Sequence, residues 1–508
     1  MVEIYPMTRL LDKWIEGFEE GWSLSILLAI FVTCWTGFLV IGYQSADLHP
    51  DVIEAWTIGR ALDWGNGKHP PLTGWIVHCW SVFFPVTDWS FYLLAMMNAA
   101  AALWTIDLIT RQFVRHDKRV IALLLLLLLP VYQFQAQKFN ANSVLFAVWP
   151  IAIYCFARSY ETRLPIWAFF AGVVGALAVL GKYYSAFLIF GFVFGAICHP
   201  NRQAYFRSSA PWISVIVGVA ILSPHFYHLA RMDTGPLDYA AAAHGTESRW
   251  RSVLSGFGFL VGVAATLTLP LLVWATIIPS KWGMFFGSFR NLNPRLLLLL
   301  LIGIGAIVSP PIAGIFLRTA VTSVWAGPGL FIFVIVSVCG SQFEIERQAT
   351  RRLAGGILGF TILAVIVAPI YAVYRNSHPS PEGRNYFRLA TIELMKRWRQ
   401  TTSQQLENAS GDKLGMAIGF YSLDHPTFIA PATQKLNWHR PSEEVLRKGL
   451  AAMCFQDEPA CLGWSKDIAG ISPGAQIFDF DILPTVWGIP GVVTRISALI
   501  VPPADEKK

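Results

Sequence analysis

Long apolar runs, separated by short polar or basic stretches, recur from Leu24 to Tyr374 and then stop. A run of about 18 or more mostly apolar residues can cross a bilayer core of roughly 30 Å. Spans are placed at 24–43, 89–110, 120–133, 143–157, 166–180, 184–198, 211–228, 253–277, 296–316, 320–338 and 353–374, several of them shorter than that measure, which makes about eleven membrane helices. The 120–133 run is short, and it either extends into its neighbours or breaks at Pro130. Ahead of the first span, LLDKWIEGFEEGW reads as an amphipathic lead-in helix. No small-residue cleavage site follows the first apolar run, so that span is expected to stay as an anchor.

Beyond Tyr374 the pattern changes. GRNYFRLATIELMKRWRQ has the period of an amphipathic helix, and PTFIAP, AQIFDFDILP and VVTRISALIVPP read as short strands. The fold class predicted is a polytopic α-helical membrane protein with a small C-terminal extracytoplasmic α+β domain. Residues 1–374 form the membrane domain, 44–88 its first outer loop, and 375–508 the soluble domain.

Composition agrees with a membrane chain: 54% of the 508 residues are hydrophobic and only 14% charged. Lysine and arginine collect in alternate short loops, around 111–119, 158–163, Arg202 and Arg207, Lys281 to Arg295, and 346–352, whereas the 44–88 loop holds only Arg60 and Lys68 against five acids. Basic loops stay cytoplasmic, which puts the N-terminus inside and the C-terminal domain outside. The net charge of +7 therefore belongs to topology, and no nucleic-acid partner is expected. The 20 tryptophans are read mainly as interface belts and packing.

Cys454 and Cys461 are the one cysteine pair outside the membrane region, and seven residues apart on the oxidising side they predict a disulfide. There is no fixed-period repeat and no HExxH. GALAVLGKYY lacks both the spacing and the Ser or Thr of a phosphate loop, since Tyr183 stands there.

The distinctive chemistry lies in the first outer loop, SADLHPDVIEAWTIGRALDWGNGKHPPLTGW. From Asp51 to Leu62 the pattern is helix-compatible, with Asp51, Glu54 and Ile58 on one face. Pro70 and Pro71 disfavour helix at Lys68 and His69, so the chain turns there before re-entering the membrane at Leu72. A lysine held at that level is placed to grip a lipid phosphate.

An acid in the first outer loop, a Gly-Asn turn and then KHPPL before Trp75 resemble the GT-C superfamily, and within it the family 39 type glycosyltransferases, relatives of protein O-mannosyltransferases and of the bacterial aminoarabinose and galacturonic acid transferases that modify lipid A. KFNANSVLFAVWP, GKYYSAFLIFGF, SPHFYHLARMDTG and TSVWAGPG resemble later segments of that family, in order. The resemblance implies an inverting transfer of a sugar from a polyprenyl phosphate donor of the undecaprenyl type to an extracytoplasmic acceptor, in a bacterial inner membrane. The acceptor expected is lipid A or another envelope glycolipid, or alternatively a protein.

By position, the resemblance makes Asp51 the base, with Glu54 the second acid and Asp47 in reserve. Val52 stands where the family carries an adjacent glutamate, which puts a two-acid or metal-assisted scheme in doubt. A divalent metal stays open as a cofactor. Lys68 matches the phosphate-facing lysine, and His69 is expected to add a hydrogen bond. Lys182 and Arg318 are each either a further phosphate ligand or a plain helix-end cation. Asn140 and Asn142 stand where many relatives carry an acid; an amide can orient a sugar hydroxyl but cannot act as a base. His225 and Trp325 are candidate sugar or acceptor contacts. His225, His228 and His244 could suggest a metal set, but they are spread across an irregular loop. Two rival readings are a secondary transporter or lipid flippase, which should show internal repeats and mid-membrane charges, and a noncatalytic assembly subunit on the same fold.

Overall fold

The computed structural model describes residues 5–44, 47–232, 235–278, 287, 290, 292–379, 386–411, 413–430, 432–433 and 437–504. Lys281, one of the basic positions used above, lies outside the described residues. The chain forms two compact units: Met1–Thr36 with Asp63–Thr73 and Leu93–Val365, and Gly37–Leu62 with Gly74–Tyr92 and Ile366–Lys508.

Six described helices are long and apolar enough to cross a bilayer: Trp22–Gly42, Asp88–Thr110, Ala210–Leu229, Arg249–Ile277, Pro294–Leu317 and Arg347–Ser377. Leu72–Phe83, Pro165–Gly181 and Tyr183–Cys198 are shorter apolar helices. Two of the eleven expected spans break for local reasons. The 120–133 run is helical only to Leu126, then turns at Pro130 into a single π-helical turn, Val131–Gln135, because proline cannot donate the next backbone hydrogen bond. The 320–338 run begins as a 3-10 turn, Ser323–Gly329, carrying Gly327-Pro328-Gly329, and leaves only Phe331–Cys339 as α-helix, about 14 Å at 1.5 Å per residue.

In the first unit, helices close on one another at small residues. A Cβ on Gly191 would stand 2.7 Å from the carbonyl oxygen of Ile302, and one on Gly305 would stand 2.9 Å from the Gly191 Cα. Only glycine lets those two backbones approach, the usual means of packing helices where lipid offers no hydrophobic drive. The lead-in helix Tyr5–Glu20 is fastened by charge. Arg119, 3% exposed, makes paired bonds of 2.8 and 2.6 Å to Asp107 and donates at 2.6 Å to the Phe18 carbonyl, while Arg351 pairs with Asp12 in the same helix.

In the second unit, the C-terminal part is an α+β layer. Five strands run in the order Thr427–Phe428, Asn408–Ser410, Leu450–Phe455, Thr494–Val501, Gln476–Ile482. The first two pairings are parallel and the last two antiparallel, with Leu450 opposite Val501 and Gln476 opposite Ile500. Helix Pro459–Ile471 covers the sheet through Trp464 and Ile468, which pack with Leu450, Ala452, Leu499 and Val501. Cys454 on a central strand is disulfide-bonded to Cys461 on this helix, with their Cα atoms 5.7 Å apart.

Removing one partner of a buried ion pair strands the other charge, at a cost of about 3–5 kcal/mol. Arg119→Ala should therefore lower the apparent melting temperature of the detergent-solubilised protein strongly. Arg115→Ala, whose side chain is 63% exposed in its pair with Glu19, should leave it nearly unchanged. Equal shifts in the two variants would contradict this account of the Arg119 pair.

Candidate functional site

The acids belong to the second unit. Helix Pro50–Gly59 starts with Pro50 in its first turn, and the His49 Nδ1 accepts the Asp51 backbone N–H at 3.2 Å. That nitrogen also lies 3.7 Å from Asp51 Oδ2, but its lone pair is already engaged, so this approach is no ion pair. Asp51 sits in the first turn, where the helix dipole favours an anion. Val52, Ile53, Ala55 and Trp56 are buried, leaving Asp51 and Glu54 half-exposed one turn apart. Val52, at the position of the missing family glutamate, is 2% exposed and belongs to the core side.

The helix is fixed at both ends of its buried face. A Cβ on Gly59 would lie 2.5 Å from the Gly74 carbonyl oxygen, so the helix end and the start of Leu72–Phe83 touch through backbone. Trp56 packs edge-on against Phe420 at 5.3 Å, and Arg60 lies over the Trp56 ring at 5.1 Å while donating to the Pro426 carbonyl at 2.8 Å.

Asp47 is not on the open face. It is buried, accepts the Arg388 backbone N–H at 3.0 Å and lies 3.9 Å from that guanidinium, which reaches Asp88 at 3.7 Å. Tyr421 completes the cluster by donating to Asp88 at 2.9 Å and accepting the Leu48 N–H at 2.9 Å. Burial, with the negative charge of Asp88, pushes the Asp47 carboxyl up to about 7 against the opposing pull of Arg388. Burial and the same two carboxylates hold the Tyr421 hydroxyl well above its ordinary range, so it remains a donor.

The cations belong to the first unit. Asn66 organises the lysine turn: its Oδ1 accepts the backbone N–H groups of Lys68 and His69 at 2.9 and 2.7 Å, and its own N–H reaches the His69 carbonyl at 3.0 Å. Gly65, at φ +115°, lets the chain pass under His225. His225 donates from Nδ1 to the Trp64 carbonyl at 2.5 Å and His228 from Nε2 to the Gly65 carbonyl at 3.1 Å. A carbonyl only accepts, which fixes the His225 tautomer; its Nε2 is then free to accept the Tyr183 hydroxyl at 3.2 Å. Both histidines thus secure the loop backbone.

Lys182 ends helix Pro165–Gly181 in extended backbone. Its ammonium donates to Asn142 Oδ1 and lies 4.6 Å above the Trp325 ring. His244 meets the same ring edge-on at 5.0 Å, Tyr239 lies 6.4 Å from His244, and Lys68 stands 5.9 Å over Tyr239. Lys68 and Lys182 are therefore two ends of one run of rings. Burial and the Lys182 charge push His244 below its ordinary range, keeping it neutral at pH 7. His244 is set by backbone: its carbonyl accepts the Ala320 N–H at 2.7 Å, and Thr246 N–H reaches the Arg318 carbonyl at 2.8 Å. Arg318 itself has left-handed backbone, φ 52°, and an exposed side chain. Asn140, 9% exposed, spends its amide oxygen on the N–H groups of Asn142 and Ser143 at the start of Val144–Thr162, so it shapes the turn that lets Asn142 hold Lys182. Among the described residues, no three His, Cys, Asp or Glu side chains are grouped to hold a metal ion.

Residues 68–228 match the family described as dolichyl-phosphate-mannose-protein mannosyltransferase. The crystal structure of ArnT from Cupriavidus metallidurans bound to undecaprenyl phosphate superposes with a TM-score of 0.61 at 14% identity, over 94% of this chain and 98% of that one. The chain has the GT-C fold. The apo form of the same ArnT gives a TM-score of 0.58 at 13% identity, over 91% of this chain and 96% of that one. No curated protein matches the chain by sequence.

Sequence reasoning missed Asn66, Tyr239 and the cluster of Asp88, Arg388 and Tyr421. Asn66 had a signal, since Asn-Gly marks a turn. Arg388 had none, because its partner Asp47 lies 341 residues away in the chain.

The folded protein holds the Asp47 proton more tightly than the unfolded chain, whose carboxyl titrates near 3.8. The stability Asp47 contributes is therefore whole at low pH and is lost as pH rises from about 4 through about 7. The apparent melting temperature should decline across that window, and Asp47→Asn should flatten the decline. Parallel profiles would show that another group is responsible.

Proposed function

We propose that this GT-C glycosyltransferase moves a sugar from a polyprenyl phosphate of the undecaprenyl type to an envelope glycolipid such as lipid A, with inversion at the anomeric carbon. The observation that carries the reading is the pair of ammonium groups, Lys68 and Lys182, on one run of aromatic rings. Lys182 donates to the Asn142 amide oxygen and lies over the Trp325 ring, and both contacts hold its nitrogen in place. That suits a lipid phosphate, and the similar ArnT structure carries undecaprenyl phosphate.

Asp51, with Glu54 beside it, takes the acceptor hydroxyl proton. The acceptor oxygen bonds to the anomeric carbon while the bond from that carbon to the phosphate oxygen breaks. The electron pair leaves with the polyprenyl phosphate, which gains one negative charge. Lys68 and Lys182 stabilise that growing charge, an interaction worth most in the transition state. Arg318 and His69 stand as further phosphate contacts, and Trp325 as a wall for the sugar. We assign the protein to a bacterial inner membrane, with the N-terminus cytoplasmic and the C-terminal domain periplasmic, on the distribution of basic loops.

Mass spectrometry of envelope glycolipids from a deletion strain should lose one sugar mass, restored by the wild-type gene. In purified protein, Asp51→Asn should lower kcat by about 10²–10⁴, while Lys68→Ala and Lys182→Ala should also raise the KM for the lipid donor. Full restoration by Asp51→Asn at equal protein level would remove Asp51 as the base. An unchanged glycolipid profile on deletion would point to a protein acceptor.

A further inference from the structure

The segment 483–493, LPTVWGIPGVV, carries no charged side chain, though Asp481 and Arg495 flank it. It forms a two-stranded hairpin with Thr485 opposite Pro490 and Val486 opposite Ile489. Trp487 and Gly488 make the tip, both left-handed at φ 48° and 81°. A bulky residue rarely accepts that conformation, so the turn spends strain to set a tryptophan at its apex. Leu483, Trp487, Ile489, Val492 and Val493 are each 44–56% exposed. So uncharged an apolar surface is unusual on a water-facing domain.

The structure also shows what lies next to it. Asn376 donates from its side chain to the Ile489 carbonyl at 3.0 Å, and a Cβ on Gly491 would stand 2.6 Å from the Asn376 carbonyl oxygen. Asn376 ends helix Arg347–Ser377, just past the uncharged stretch Leu353–Tyr374, which at about 1.5 Å per residue spans a hydrocarbon core of roughly 30 Å. The hairpin is therefore tied to the chain at headgroup depth. Where the two long strands continue away from it, the charged pair Asp481 and Arg495, bonded at 2.8 and 3.0 Å, marks the return to water.

We propose that the 483–493 hairpin inserts into the interfacial layer of the bilayer around the end of helix Arg347–Ser377, and that its partner is the phospholipid surface. Trp487 has the chemistry for that depth, an apolar ring with one N–H donor.

The full chain, carrying the photoreactive residue p-benzoylphenylalanine at position 487, would be reconstituted into vesicles of phosphatidylethanolamine and phosphatidylglycerol and irradiated. Phospholipid adducts at position 487, and none at the exposed Lys466 position of helix Pro459–Ile471 used as control, are the expected result. A crosslink from 487 to a second copy of the chain, or no lipid adduct, would overturn the proposal. Trp487→Phe gives an independent check: lipids brominated along their acyl chains should quench a smaller share of fluorescence in the variant than in wild type. An equal or larger quenched share in the variant at matched melting temperature would overturn the proposal.

Discussion

A charge carried into an apolar chain must either meet a partner or stop where water begins, because stranding it costs several kcal/mol. Much of this structure follows from that constraint. Arg119 and Asp107 satisfy it deep in the first unit and hold the lead-in helix in doing so. Asp47 and Asp88 satisfy it in the second unit by sharing Arg388, and the Asp47 carboxyl is pushed toward its neutral form. Lys182 meets an amide oxygen and a ring face, which hold a cation in place.

The same constraint sorts the loop acids. Asp47 and Asp51 are four positions apart, yet one is locked among partners and the other stands half-exposed in the first turn of a helix. On the proposed base role, proton exchange with a substrate calls for the second arrangement. The Gly59 contact with Gly74 is what seats this helix.

Helical periodicity made the Asp51 and Glu54 face legible, and the short strand-like runs AQIFDFDILP and VVTRISALIVPP made two sheet strands legible. Both signals are local. Span number was less so, because hydropathy does not register how Pro130, or Gly327 and Pro328, divide an apolar run into pieces. The partners of His225 and His228 were not legible, because they are backbone carbonyls 161 and 163 residues away. Asn140 accepts the N–H groups of Asn142 and Ser143.

The lysine loop has a further consequence through the way it is tied. Asn66 binds two backbone N–H groups from within its own turn, and two histidines clamp the carbonyls just before it. The conformational entropy of this segment is therefore lost when the chain folds, not when a ligand arrives. On the proposed donor-binding role of Lys68, an incoming phosphate would meet a rigid receptor, so more of its contact energy would be retained as affinity.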